Sequence, residues 1–311
     1  MSDLSKQIEE RVSKSFDAAE ELNKKLQAEY ILALDEINKH IAYFYSKYAG
    51  EKGITYTEAV MYLNKLEMIP FGKKLSKYKK ILDSGNVELA AKIDALALKS
   101  RITRLEALTT NIQYELILLQ NTQQEKLTNH LTDTYASTYA GAASELTSVG
   151  FKASFVKINP ELVKEAISFP WSGQSFSEAI WNNTDALVSN MHRELTQGFI
   201  QGTSVQKMAK NISKRMNVGY GQAVRLVATE TAHVISKASL QQYRDSGIKK
   251  VEFSAVLDNR TSSICEGRHG TYVFLENAVV GKNIPPLHPH CRSTILPVVD
   301  DEEAVLIDTD I

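Results

Sequence analysis

Apolar residues recur at steps of three and four along the first part of the chain. Leu4, Ile8, Val12, Phe16, Ala19, Leu22 and Leu26 form one stripe, the spacing of a helix that buries one face. Ile37, Ile41 and Phe44 extend the pattern toward Ala49-Gly50. Thr55-Tyr56-Thr57-Glu58 has the S/T-x-x-E form that opens a new helix. Leu98, Ile102, Leu105, Thr109, Ile112, Leu116 and Leu119 then alternate in steps of four and three. That is a heptad seam, which either closes a bundle within the chain or faces a partner subunit. Gly and Pro are nearly absent between Ser84-Gly85 and Gly141. The pattern therefore predicts residues 1–150 as almost entirely helical and confines strands to the region after Gly247.

The texture changes between Gly150 and Gly173, where Lys157-Ile158-Asn159-Pro160 and Phe169-Pro170-Trp171-Ser172-Gly173 place turn residues around short segments. This is the best domain boundary. Ser175-Phe176-Ser177-Glu178 is a second capping box, with Ile180, Leu187, Met191 and Leu195 along the helix it opens. Gly198 and Gly202 end that helix, and Val205, Met208, Ala209 and Ile212 begin another. A third runs from about Tyr220 to Ser246, with Gly247 as its C-terminal cap. The period then switches to two. Val251, Phe253, Ala255 and Leu257 share one face of a half-buried strand, opposite Glu252 and Ser254. Asp258-Asn259-Arg260-Thr261 turns the chain, and further strands are predicted at Thr271 to Leu275 and Thr294 to Val299. Pro285-Pro286-Leu287-His288-Pro289 forces an extended turn. The expected fold class is α+β. A long, mainly helical region (1–150, bundle or coiled-coil-like) precedes a C-terminal domain of helices plus a small antiparallel β-sheet (151–299), with an acidic tail at 300–311.

Composition narrows the function classes. The 311 residues are 43% hydrophobic and 23% charged, a globular balance. A formal net charge of −1 excludes a global polycation field. The bases are uneven, however: 17 basic against 11 acidic residues in 151–299, and six acids with no base in 300–311. Lys73, Lys74, Lys77, Lys79 and Lys80, and then Lys207, Lys210, Lys214 and Arg215, are either solvated helix faces or contacts for DNA phosphates. Two cysteines exclude a disulfide-dense scaffold. No apolar run approaches the roughly 18 residues of a membrane span, and Met1 to Lys6 lacks the form of a secretory signal. A soluble protein of a reducing compartment is expected.

The densest set of potential ligands is Cys265, His269, His288, His290 and Cys291. Thiolate and imidazole are the usual zinc ligands, and Cys265, His269, His288 and Cys291 would make four of them. The alternative is two buried thiols beside hydrogen-bonded histidines. Arg225, Thr229, Glu230 and His233 share one side of a helix, which reads as an acid/base pair or as a surface or interface helix with an Arg–Glu pair. Asp258, Arg260 and Thr261 read as a turn held by its own aspartate. Asp258 should cap that turn, Arg260 should pair with a nearby acid, and His288-Pro289 should pack against the hairpin. The Cys265/Cys291 region is expected to be a folding determinant. No GxSxG, Walker A, HExxH or GxGxxG occurs in the chain.

The succession Arg225 to Glu230, Tyr243 to Gly247, Asp258-Asn259-Arg260-Thr261, Cys265, Gly270, Pro285-Pro286, His288-Pro289, Cys291-Arg292 and Pro297 resembles the phage minor head protein family, the Mu F-like head-morphogenesis group of tailed phages. The match covers about residues 175–299. It implies a structural motif of Arg225, Glu230, Asp258, Arg260, Thr261, Cys265, His288, Cys291 and Arg292, and no catalytic residues. It also implies a minor structural protein of the virion, made in the host cytoplasm and incorporated into the procapsid near the portal, inside the head. Implied partners are portal and capsid or scaffold proteins, and non-specific double-stranded DNA that it accompanies on ejection; no membrane is implied. The heptad spacing, separately, makes Leu98 to Leu119 the candidate for self-association or for contact with a portal-like ring. Many members carry paired cysteines where Ser262 and Ser293 stand here. A four-cysteine zinc site therefore cannot form, and any structural zinc must use histidine. The alternative function is a metal-dependent nuclease or toxin-like effector using Glu230, His288 and His290.

Overall fold

A computed structural model describes residues 3–48, 66–67, 102–154, 158–201 and 203–299. Thr55 to Glu58, Lys73 to Lys80, Leu98 and residues 300–311 lie outside them. The first stripe becomes α1, Asp3–Tyr48, in which Leu4, Ile8, Val12, Ala19, Leu22, Leu26, Ile37, Ile41 and Phe44 are buried. Strands β1, Leu66–Glu67, and β2, Ile102–Thr103, pair antiparallel. This two-residue ladder departs from the expectation that strands occur only after Gly247. The rest of the described chain is α2, Arg104–Ser148, α3, Pro160–Ser168, α4, Phe176–Ile200, and α5, Val205–Asp245, followed by a small sheet. No described helix is long and apolar enough to cross a membrane.

Side chains fix the helix ends. At the start of α4 the Ser175 N–H donates to the Glu178 carboxylate at 2.7 Å, and the Glu178 N–H donates back to the Ser175 hydroxyl at 3.2 Å. The C-terminus of α5 closes through the Ile248 N–H on the Tyr243 carbonyl at 2.9 Å, with Gly247 at φ 79. Only glycine takes that left-handed position without strain. This cap swings the chain from α5 directly into the sheet.

The chain forms two units that do not follow chain order. One comprises Met1–Lys25, Glu125–Ala179 and Gln222–Ile311, the other Leu26–Gln124 and Ile180–Gly221. The boundaries near 150 and 299 thus mark segments of sequence rather than these units. In the second unit Ile37, Ile41 and Phe44 of α1 pack with Leu108, Ile112, Leu116 and Leu119 of α2, Met191 and Leu195 of α4, and Met208, Ile212 and Met216 of α5. Of the two readings of the seam, this packing is that of a bundle closed within the chain. Ile112, Leu116 and Leu119 are spent inside their own unit, and Leu108, Thr110, Tyr114, Glu115 and Ile117 are buried as well.

In the first unit β3, Lys250–Ser254, is central in a sheet of order β4-β3-β5, with β4 at Tyr272–Phe274 and β5 at Thr294–Pro297, all antiparallel. Val251 sits opposite Val273 and Pro297, and Phe253 opposite Ile295. Val251 and Phe253 are buried as the period-two pattern requires, but the strand ends before Leu257, which is 58% exposed. Val251, Val273, Leu275, Ile284 and Ile295 pack with Leu240 and Tyr243 of α5 and with Ala142 and Leu146 of α2. The sheet therefore holds the loops that follow β3 and β4 against helices of the same unit.

Candidate functional site

Beyond β3 the Asp258 turn is closed by its own side chains. The Arg260 N–H donates to Asp258 Oδ1 at 2.9 Å, and the Asp258 N–H donates to Thr261 Oγ1 at 2.8 Å. Arg260 itself stays 3.8 Å from the carboxylate. The close partner is Arg292, whose Nη1 and Nη2 donate to Oδ2 and Oδ1 at 2.8 and 2.6 Å. This bidentate fork ties the loop before β5 to the turn after β3. The Arg292 guanidinium, helped by the Arg260 N–H, holds the Asp258 carboxyl well below the usual carboxylate range.

Ser262 then caps a short helix, α6, Ser263–Glu266, accepting from the Cys265 N–H at 3.3 Å. The cap buries Cys265 against Phe253, Ala255, Cys291 and Leu287. Cys265 Sγ lies 3.1 Å from His288 Nε2 and 3.6 Å from Cys291 Sγ. Both cysteines are free thiols. Either sulfur can donate in the thiol–thiol contact; that bond holds the Cys265 thiol down and pushes the Cys291 thiol up. Of the four residues expected to meet, three do. His269 stands apart, because its Nδ1 accepts the Ala255 N–H at 3.2 Å; among the described residues the donor group consists of Cys265, His288 and Cys291.

The α5 residues contact the same loop from the other side. Thr229 Oγ1 donates to the Arg225 carbonyl at 2.7 Å and accepts the His290 N–H at 3.2 Å, with His290 at φ 59. Burial, then the Arg225 charge, keeps the His290 ring below its ordinary value. Glu230 is expected on a surface or interface helix paired with an arginine, and the structure gives it neither a surface position nor that partner. It is 3% exposed and receives both its bonds from Trp171 Nε1, at 3.3 and 3.2 Å. Burial pushes its carboxyl up to about 7, against the lowering effect of the indole bond.

The Trp171 ring stacks on fully buried His233, centroids 5.1 Å apart and planes within 10°. His233 Nε2 donates to the Ala166 carbonyl at 3.2 Å, and burial drives the ring down to about 3, so it is neutral at any ordinary pH. Gly281, at φ 89, lies close to the same ring; a Cβ there would stand 3.2 Å from it. Sequence reading missed Trp171 as the partner of Glu230. The available signal was a tryptophan inside a Pro/Gly turn, where burial needs a partner for its N–H.

Chemically these groups form two separate centres. The carboxylate of Glu230 faces an indole, and His288 faces two thiols. Glu230, His288 and His290 are not brought into one donor group among the described residues. Lys207, Lys210, Lys214 and Arg215 are exposed on α5, with Arg215 bridging to Glu194 at 3.1 Å.

The chain is 23% identical over 157 residues to the NAD(+)–arginine ADP-ribosyltransferase EFV of Enterococcus faecalis (strain ATCC 700802 / V583), covering 46% of this chain and 32% of that protein. It is 24% identical over 196 residues to Minor head protein GP7 of Bacillus phage SPP1, covering 57% of this chain and 63% of that protein. The chain thus spans less than two thirds of either relative's length. No solved structure is significantly similar to it. Residues 189–296 match the family described as Phage Mu protein F like protein. That stretch runs from within α4 to β5, leaving Trp171 outside but taking in α5 and both loops held against it, and the chain carries a Phage Mu F-like domain.

Proposed function

We propose that this protein is a minor head protein of a tailed phage, built into the procapsid near the portal and acting through its surfaces. The observation that carries the reading is the Mu F-like match over residues 189–296, supported by the similarity to GP7. The geometry agrees in kind: Asp258, Arg292, Thr229 and Glu230 are spent on joining segments of one unit. Among the apolar side chains left outward on the same stretch, Val256, Leu257 and Ile264, 46%, 58% and 52% exposed, lie close together in the chain around the Asp258 turn. They are the docking contacts of this reading, in place of the α2 seam. Lys207, Lys210, Lys214 and Arg215 supply the DNA contact, sequence-independent and steeply salt-dependent because released counterions drive it.

The test is incorporation. Leu257→Asp with Ile264→Asp should leave the circular dichroism spectrum unchanged and deplete the protein from purified heads. Normal incorporation removes this surface from the reading. A gel-shift series should show DNA affinity collapsing between low and physiological salt, and no shift at low salt leaves a purely protein-binding role.

The similarity to the arginine ADP-ribosyltransferase favours a second reading, an effector enzyme. It predicts transfer of label from NAD+ to an arginine-containing protein. Absence of transfer, with no cleavage of plasmid DNA in Mg2+ or Zn2+, returns the chain to the structural role.

A further inference from the structure

We propose that Cys265, Cys291 and His288 form a three-ligand site for a soft divalent cation, Zn2+ by preference, with a solvent molecule as the fourth ligand. The three donor atoms all lie within 4.8 Å of one another. Tetrahedral Zn2+ with bonds of about 2.3 Å to sulfur and 2.0–2.1 Å to nitrogen sets S–S and S–N edges of roughly 3.8 and 3.5 Å. The observed 3.6 and 3.1 Å differ from those by a few tenths of an ångström, which side-chain rotation supplies.

The imidazole is already in the ligating tautomer. His288 Nδ1 lies 2.8 Å from the Pro289 carbonyl oxygen. A carbonyl only accepts, so Nδ1 carries the proton and Nε2 turns its lone pair toward the thiols. An outer hydrogen bond of this kind is what fixes a metal-binding histidine. The backbone around the ligands is equally constrained. Ser262 caps the turn bearing Cys265, and Thr229 holds the His290 N–H between His288 and Cys291.

Charge favours a cation over an empty cluster. Both cysteines are buried, and two thiolates with one neutral imidazole balance a divalent ion exactly in number, so no net charge is left in the interior. Binding releases two thiol protons to solvent. His288 is half-buried, which gives solvent a path to the fourth position. The site would pin α6 to the loop before β5, beside the Asp258–Arg292 fork.

The test uses the reduced full-length chain, stripped by a chelator and titrated with Co2+ under nitrogen. One equivalent should give the strong visible bands of tetrahedral cobalt and a thiolate-to-cobalt charge-transfer band, both bleached by Zn2+. Cys265→Ser and Cys291→Ser should each remove most of the charge-transfer band. His288→Gln should weaken binding by at least about tenfold, and His269→Gln should leave it unchanged. Because a cysteine variant can fail to fold, melting is the second readout: Zn2+ should raise the melting temperature of the parent chain and raise that of His288→Gln less. A folded, reduced chain without the charge-transfer band overturns the proposal. So does an equal loss in His269→Gln and His288→Gln.

Discussion

Glu230 and His233 lie one helical turn apart on α5, and burial pushes them in opposite directions. An acid raised from its ordinary 4.5 to about 7 carries a penalty of about 3 kcal/mol once ionised. The folded chain keeps that proton longer than the unfolded one, so the penalty is absent below about pH 4.5. It grows as pH rises, and is complete above about 7. His233, lowered from 6.5 to about 3, behaves in reverse. Its penalty is absent above pH 6.5 and reaches about 5 kcal/mol as pH falls to 3. Between about 4.5 and 6.5 the two slopes, each about 1.4 kcal/mol per pH unit, cancel. Glu230→Gln keeps an acceptor oxygen for Trp171 Nε1 while removing the charge. Relative to the parent chain it should be neutral near pH 4.5 and more stable by about 3 kcal/mol at pH 8. His233→Gln should expose the opposite slope, with stability falling as pH rises from 4.5 to 7. Urea unfolding from pH 4.5 to 8, followed by circular dichroism and tryptophan fluorescence, measures both. A Glu230→Gln difference that does not change with pH would refute the buried-acid argument, whatever its size.

Three further changes probe the packing. Gly281→Ala puts a methyl 3.2 Å from the Trp171 ring at φ 89; it should cost at least about 1–2 kcal/mol from backbone strain alone, read by thermal melting. Met191→Ala, at a fully buried site in the second unit's core, should cost about 2–5 kcal/mol; a loss below 1 kcal/mol would mean that this core is not packed as described. Arg292→Lys breaks the two-pronged grip on Asp258. The Asp258 carboxyl should then titrate nearer its ordinary value in an NMR pH series, and acid tolerance should shrink because the lowered carboxyl stabilises the fold only while ionised.

What the sequence discloses is whatever neighbours can decide among themselves. The three-four stripe of α1, the Ser175/Glu178 box, the glycine cap at Gly247 and the alternation through Phe253 each depend on residues within one or two turns, and each is found in place. The α2 seam shows where that reasoning stops. Periodicity finds the most apolar face of a helix but cannot tell whether the other faces are covered too, and around Tyr114 and Ile117 they are. Leu257 fails for a related reason: the alternation continues past Ser254 although the paired strand does not.

The same distinction separates the candidate residues from their roles. Asp258 and Arg292 are 34 positions apart, Trp171 and Glu230 59, and Thr229 and His290 61. Nothing local chooses Arg292 over Arg260 for Asp258, or an indole over an arginine for Glu230; the sheet and α5 choose by deciding which side chains are left facing one another. A motif recognised by its order along the chain is therefore a record of contacts whose partners the order does not name. That explains why Glu230, Asp258, Cys265, Cys291 and Arg292, which help to carry the resemblance, are buried or clamped: they specify how the domain closes. The surface that meets another protein is under no such constraint, because an exposed Leu257 or Ile264 satisfies the fold as well as a polar side chain would. For a protein that works by docking, the legible residues are those that build the module, and the functional ones must be found by substitution on its outside.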